Sequence, residues 1–197
     1  MKWITKRKIK KEKKTIFVVG ASKGLGVTHT CLCLANYLHS VEGRKVMYLE
    51  VCKNSSLFEM VEKKQVIVDG VKAYKYMGVY YVLSCSVREA EEIIKSTDVD
   101  IVIDVEDYRG DIKNLMLLSN KKIVVASMQA WQKDNLINAL RHFTNLIDIK
   151  MLVIANKDKR KNKKSEVSNL TLKPIPQIDN PFKLDERDFP ALGELLA

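Results

Sequence analysis

The residues best placed to do chemistry lie in one stretch, "VVGASKGLGVTHT", running from Val18 to Thr30. Gly20, Gly24 and Gly26 follow a short apolar run and precede a segment of helical composition. A glycine-rich turn between strand and helix lets backbone N–H groups converge on an anion, and the helix N-terminus adds partial positive charge. The chemistry such a turn serves is phosphate binding, with the N–H groups of Gly24 to Thr28 as donors. His29 stands next to them and is the residue of this set that also suits a partly exposed helix position. Asp104 closes the apolar run "VDIVIDV" (99–105), where an acid at the C-terminal edge of a strand faces the same cleft. Each residue also has a plainer use: the glycines in a tight turn, Thr28 in a first helical turn, Asp104 in a solvated loop.

The elements that must position these groups follow from the hydrophobic pattern. Short β-branched runs recur as "TIFVVG" (15–20), "KVMYLEV" (45–51), "VDIVIDV" (99–105), "KKIVVAS" (121–127) and "KMLVIAN" (150–156). Segments with helical spacing separate most of them, at 28–39, 87–95 and 131–146. Continuous apolar strands alternating with helices predict an α/β fold: a doubly wound, mostly parallel sheet with helices on both faces. Residues 71–84 alternate around Met77-Gly78 and predict a hairpin or edge pair inserted before the next helix. Trp131, ahead of "QKDNLINAL", is expected to anchor its helix in a core or interface.

Composition bounds the rest. A chain of 197 residues, 46% hydrophobic, suits a single domain, expected over 15–197 behind a basic N-terminal tail over 1–14. The net charge of +10 is concentrated: residues 1–14 hold eight Lys/Arg and one acid, and residues 157–164 hold six and one, so the remainder is close to neutral. Such tracts suit solvated tails and loops, or attraction to an anionic membrane surface or to nucleic acid. Trp3 and Ile4 beside the first tract tilt the balance toward lipid. No run of eighteen apolar residues occurs and the N-terminus lacks the apolar segment of a secretory signal, so the expected location is cytoplasmic, with peripheral attachment at the inner membrane face as its extension. Cys31, Cys33, Cys52 and Cys85 form no C-x-x-C pair and sit in apolar segments, which predicts reduced thiols without disulfides. His29, His39 and His142 are scattered, which predicts no metal cluster.

Two family resemblances compete for the opening stretch. Gly20-Ala-Ser-Lys-Gly24-Leu-Gly26 resembles the turn of short-chain dehydrogenases, which would imply an NAD(P) binder. That resemblance ends after seven residues: no tyrosine has a lysine four positions on, and Glu50 lies 24 residues after Gly26, farther than a ribose-binding acid usually does. The stretch "VVGASKGLGVTHTCLCLANYLHSVEGRKVMYLEV" resembles the opening of the MinD/ParA family of deviant-Walker P-loop ATPases. Gly24, Gly26 and Thr28 fall on that family's phosphate loop, "LANYL" (34–38) on its helix, "GRKVMYLE" (43–50) on strand two and "DIVID" (100–104) on the Walker B strand. "LVIAN" (152–156) matches the strand whose asparagine contacts adenine, and "PIPQIDNPF" (174–182) the proline-bearing segment that follows the last strand.

This resemblance implies a P-loop NTPase-like domain that binds nucleotide through Ser22, Lys23, Gly24, Leu25, Gly26, Val27, Thr28, His29 and Asn156. It implies Mg²⁺ at Thr28 and Asp104, and Lys23 and Asp104 as the catalytic pair if the protein is active. The sequence departs from the family where the chemistry is done. The phosphate-bridging lysine is Val27, the signature lysine falls on Ser22 with Lys23 one position off, and strand two ends Glu50-Val51-Cys52 without a second acid. Phosphoryl transfer depends on positioned positive charge and metal. The expectation is a degenerate, pseudo-ATPase member with weak or no binding of ATP and Mg²⁺ that acts as a positioning or assembly factor, as a homodimer or with a protein partner. The pilus-localisation proteins of the TadZ/CpaE kind resemble it in their altered loops, which implies a secretion, pilus or conjugation apparatus. The alternatives are an active ATPase using Lys23 and the dehydrogenase-like dinucleotide binder. "NKDK" (156–159) is similar to a guanine motif but has Lys159 at the decisive acid, which disfavours GTP.

Overall fold

A computed structural model describes residues 12–61, 64–143, 149–154 and 171–197. Its strands are β1 (Thr15–Gly20), β2 (Val46–Val51), β3 (Gln65–Val68), β4 (Val71–Tyr76), β5 (Val79–Val82), β6 (Asp100–Val105), β7 (Lys121–Ser127), β8 (Ile149–Ile154) and β9 (Thr171–Pro174). Its helices are α1 (Val27–Ser40), α2 (Phe58–Val61), α3 (Val87–Ser96), α4 (Lys113–Leu118), α5 (Lys133–Phe143) and α6 (Phe189–Leu196). The strands form one nine-stranded sheet in the order β3-β4-β5-β2-β6-β1-β7-β8-β9. From β5 to β9 every neighbouring pair is parallel, and β3 and β4 extend one edge by antiparallel pairing.

This is the doubly wound α/β architecture that the hydrophobic pattern predicts. β1, β2 and β6 are buried at every residue, which is why their sequences are nearly continuous apolar runs. From β1 the chain moves through α1 to β2 on one side, whereas β6, β7 and β8 are each reached by steps in the opposite direction. Parallel crossovers are right-handed, so α1 lies on one face of the sheet and α3, α4 and α5 on the other. Accordingly α1 packs on β6, β2 and α6, while α3 packs against α4. The reversal at β1 places the loop after it at a topological switch point, where such sheets take ligands.

Several elements differ from the sequence expectation. The hairpin over 71–84 is present as β4 and β5, and β5 continues into the parallel sheet by pairing with β2. β3 and β9 were not expected: each is a four-residue edge strand, too short to carry a readable alternation, and β9 ends in Pro174, which an edge tolerates. The helix expected over 131–146 begins with a 3₁₀ turn at Ala130–Gln132 before α5. Trp131 is 75% exposed and is not a core anchor. The inward stripe of α5 runs through Leu136, Ala139 and Phe143 at helical spacing, and Trp131 falls off that stripe.

The end of the sheet where β1, β2 and β6 begin is held by ion pairs. Arg44, just ahead of β2, donates from Nε and Nη2 to the carboxylate of Asp100, the first residue of β6. The Lys14 backbone N–H donates to Asp100 at 2.7 Å and its Nζ pairs with Glu42 at 2.9 Å. Lys13 Nζ donates to the carbonyls of Ile94 and Thr97 at 2.6 and 2.7 Å, capping the C-terminus of α3. Of the expected tail over 1–14, the last two lysines are thus gripped by the fold, and residues 1–11 lie outside the described residues.

Candidate functional site

The loop from β1 to α1 folds back tightly on itself. A Cβ at Gly20 would stand 2.8 Å from Ser22 O and 2.9 Å from Val27 Cγ2, so only glycine admits that close return. Gly26 is the N-cap of α1 in a left-handed conformation, φ 86°, with no side-chain cap and no acid in the first turn. The first-turn N–H groups are therefore left for whatever enters the space in front of them. Ile175, from the proline-bearing segment after β9, lies within 3.7 Å of a side chain built at Gly26, so that segment runs beside the loop.

That space is a cleft of about 610 Å³. Its walls are the loop and α1 from Ser22 to Leu32, the end of β2 and the following turn with Glu50, Cys52, Asn54 and Ser56, and the end of β6 with Asp104, Val105 and Glu106. Glu50 and Asp104 are register partners on adjacent parallel strands, so both carboxylates leave the same face of the sheet side by side. They are 5% and 4% exposed.

Hydroxyls, not cations, hold Asp104. The fully buried Tyr48 donates its OH to Asp104 Oδ2 at 2.5 Å, and the Thr28 hydroxyl reaches the same carboxylate. Burial pushes the Asp104 pKa above the ordinary carboxylate range, and these two hydrogen bonds pull against that rise. Burial raises the Glu50 pKa as well, with the Asp104 charge adding to it and contacts to Ser55, Ser84 and Cys52 opposing it. Glu50 Oε2 is buried and finds no hydrogen-bond partner among the described residues.

Among the described residues, the one Lys or Arg lining the cleft is turned to its rim. Lys23 Nζ pairs with Glu106 Oε1 at 2.7 Å, with both side chains solvent-exposed, and the hydrogen bond to Glu106 raises the Lys23 pKa. Ser22, which the sequence resemblance sets against the family's signature lysine, donates its Oγ to Gln132 Oε1 at 2.9 Å and is tied to the turn that carries Trp131. Val27, which the sequence resemblance sets against the family's phosphate-bridging lysine, packs its methyl back over Gly20.

The structure thus brings Ser22, Lys23, Gly24, Gly26, Val27, Thr28, His29 and Asp104 to one cleft. Leu25 is buried, 6% exposed, and does not line it. Asn156 and the basic tract 157–164 lie outside the described residues. Glu106, Cys52, Asn54 and Ser56 join the cleft without having been singled out for it. Their signal was position: "VEDYRG" and "KNSSL" follow β6 and β2, and loops after parallel strands meet at one edge of the sheet. Among the described residues no group of three or more His, Cys, Asp or Glu is disposed to hold a metal ion, and the four cysteines are free thiols. Among them, too, no helix is long and apolar enough to cross a membrane.

With β6 standing between β1 and β2, the strand order is that of a P-loop sheet and not the 3-2-1-4-5-6 order of dinucleotide-binding folds. Solved structures bear out this class. A putative plasmid partition protein from Borrelia burgdorferi B31 bound to AMPPNP is similar with a TM-score of 0.63 at 16% identity, covering 94% of this chain and 98% of that one. A ParA family ATPase from Chlorobium tepidum TLS gives 0.62 at 9% identity over 93% and 92%. The septum site-determining protein MinD from Pyrococcus horikoshii OT3, complexed with Mg-ADP, gives 0.58 at 16% identity over 93% and 94%. Neither a protein-family model nor a curated protein matches the sequence. The chain has the MinD/ParA P-loop NTPase fold.

Proposed function

We propose that this chain is a degenerate MinD/ParA-like protein whose cleft binds ATP and Mg²⁺ weakly or not at all. It acts as a positioning or assembly factor, as a homodimer or with a protein partner, in a secretion, pilus or conjugation apparatus. The observation that carries the reading is the charge inside the cleft. Among the described residues three carboxylates, Glu50, Asp104 and Glu106, line it against one ammonium, and that ammonium is already paired at the rim. A triphosphate entering there would meet repulsion at short range instead of a lysine clamp.

Thr28 and Asp104 stand together as Mg²⁺ ligands would, but the Asp104 carboxylate is occupied by Tyr48, and among the described residues no lysine reaches the phosphate end of the loop. The solved neighbours with AMPPNP or Mg-ADP have this fold, which supports seeking the cause of weak binding in the side chains of the cleft and not in the architecture. The basic tracts at 1–14 and 157–164 supply attraction to an anionic membrane surface or nucleic acid, and suit attachment at the cytoplasmic face of the inner membrane.

Calorimetric titration with ATP and ADP, each with and without Mg²⁺, tests the reading. The wild type is expected to show no saturable heat in the micromolar range, and a Ser22→Lys/Val27→Lys variant to gain Mg²⁺-dependent binding. Micromolar, Mg²⁺-dependent ATP binding by the wild type would overturn it.

A further inference from the structure

A second hollow, of about 370 Å³, lies between α3 and the strands β4 and β5 and shares no lining residue with the cleft. Val71 and Val82 are half-buried in it beside Ile93, and the exposed Lys72, Glu89 and Glu92 border it. Apolar side chains left partly open at the edge of a core gain from further cover. The chain enters the fold at one end of this hollow. Lys13 Nζ donates to the carbonyls of Ile94 and Thr97 at 2.6 and 2.7 Å, in the helix turn whose Ile93 and Ser96 line the hollow. The tip of the β3–β4 hairpin is tied to the same corner, where the Asp98 N–H donates to Asp69 at 3.3 Å.

We propose that residues 1–11 dock in this hollow, with the side chains of Trp3 and Ile4 covering the valines and the basic residues that follow them lying along the carboxylates of α3. Position, reach and charge single out this segment. It joins the fold beside Lys13, and eleven residues span up to roughly 36–40 Å, well beyond the roughly 15 Å length of α3. It carries six Lys/Arg and no acid, with Trp3, Ile4 and Ile9 among its apolar residues. Among the described residues the hollow is lined by two carboxylates and one ammonium, a balance opposite to that of the segment. Ten residues line the hollow, against roughly 20–30 on each side of a stable interface between separate proteins. A tethered segment needs far less contact, because its effective concentration is on the order of millimolar.

Trp131→Phe leaves Trp3 as the only tryptophan of the full chain, and its emission maximum and acrylamide quenching report whether it is covered. Against a peptide of residues 1–14, Trp3 in the chain is expected to emit at shorter wavelength and to be quenched severalfold less, at every protein concentration tested. Val71→Lys, added to that chain, puts a charge among the valines and is expected to restore the quenching of the peptide. Glu92→Lys, on the exposed face of α3, is expected to restore part of it without moving the unfolding midpoint. Quenching in the Trp131→Phe chain equal to that of the peptide overturns the proposal. So does protection that neither hollow variant changes, which puts Trp3 elsewhere on the fold, or protection lost on dilution, which puts it on a second copy.

Discussion

Asp100 and Asp104 lie on the same strand, four residues apart, and live in opposite electrostatic worlds. At the start of β6 Asp100 receives the Arg44 guanidinium and the Lys14 backbone, and the same corner holds Lys14 on Glu42 and Lys13 on the end of α3. At the other end Asp104 and Glu50 are as deeply buried, yet their partners among the described residues are hydroxyls, a thiol and the Ser84 backbone, with each other's charge and that of Glu106 close by. One end of the sheet spends its charges on holding the chain together. The other keeps buried carboxylates that contribute nothing to stability as ions, which is the mark of a site open to a ligand.

The largest expected effect breaks the satisfied end. Arg44→Ala leaves Asp100 buried without its cation, and chemical denaturation is expected to show a loss of about 3–5 kcal/mol. A loss under 1 kcal/mol would mean the ion pair is solvated and the contrast between the two ends is false. At the ligand end, Tyr48→Phe removes the donor to Asp104 Oδ2 and is expected to cost about 1–3 kcal/mol.

Glu50→Gln should act in the reverse sense, raising stability by about 1 kcal/mol at neutral pH because it removes a buried charge. Its pH dependence sharpens the comparison. Burial raises the folded Glu50 pKa above the ordinary 4.5, so the folded state favours the protonated acid. The stability from that preference is complete below the unfolded pKa and is lost as pH rises through the folded one. The advantage of Glu50→Gln over wild type should therefore be absent near pH 4 and grow toward neutral pH, in unfolding midpoints measured across that range. A pH-independent difference would remove the carboxylate from the explanation. The smallest effect is expected from Lys23→Ala: the Lys23–Glu106 pair is solvent-exposed, and the unfolding midpoint should not move beyond measurement error.

The parallel sheet, its winding and the phosphate-type loop were legible in the sequence because they rest on local signals. Continuous apolar runs mean strands buried on both faces, and glycines between a strand and a helix mean a tight turn at the helix N-terminus, whatever surrounds them. The missing lysines at Ser22 and Val27 could be read the same way, position by position. The short edge strands β3 and β9 escaped because four residues carry too little periodicity. The exposure of Trp131 escaped because it depends on which face of α5 meets the sheet.

What only the tertiary structure decided is the company each charge keeps. Glu50 and Asp104 are 54 residues apart in sequence and become neighbours through the β2–β6 register. Lys23 and Glu106 meet only because the loops after β1 and β6 share an edge, and Tyr48 reaches Asp104 only across the sheet. Local patterning specifies which elements form, but the energy of a buried carboxylate depends on what the fold brings within hydrogen-bond reach of it, and no local pattern contains that.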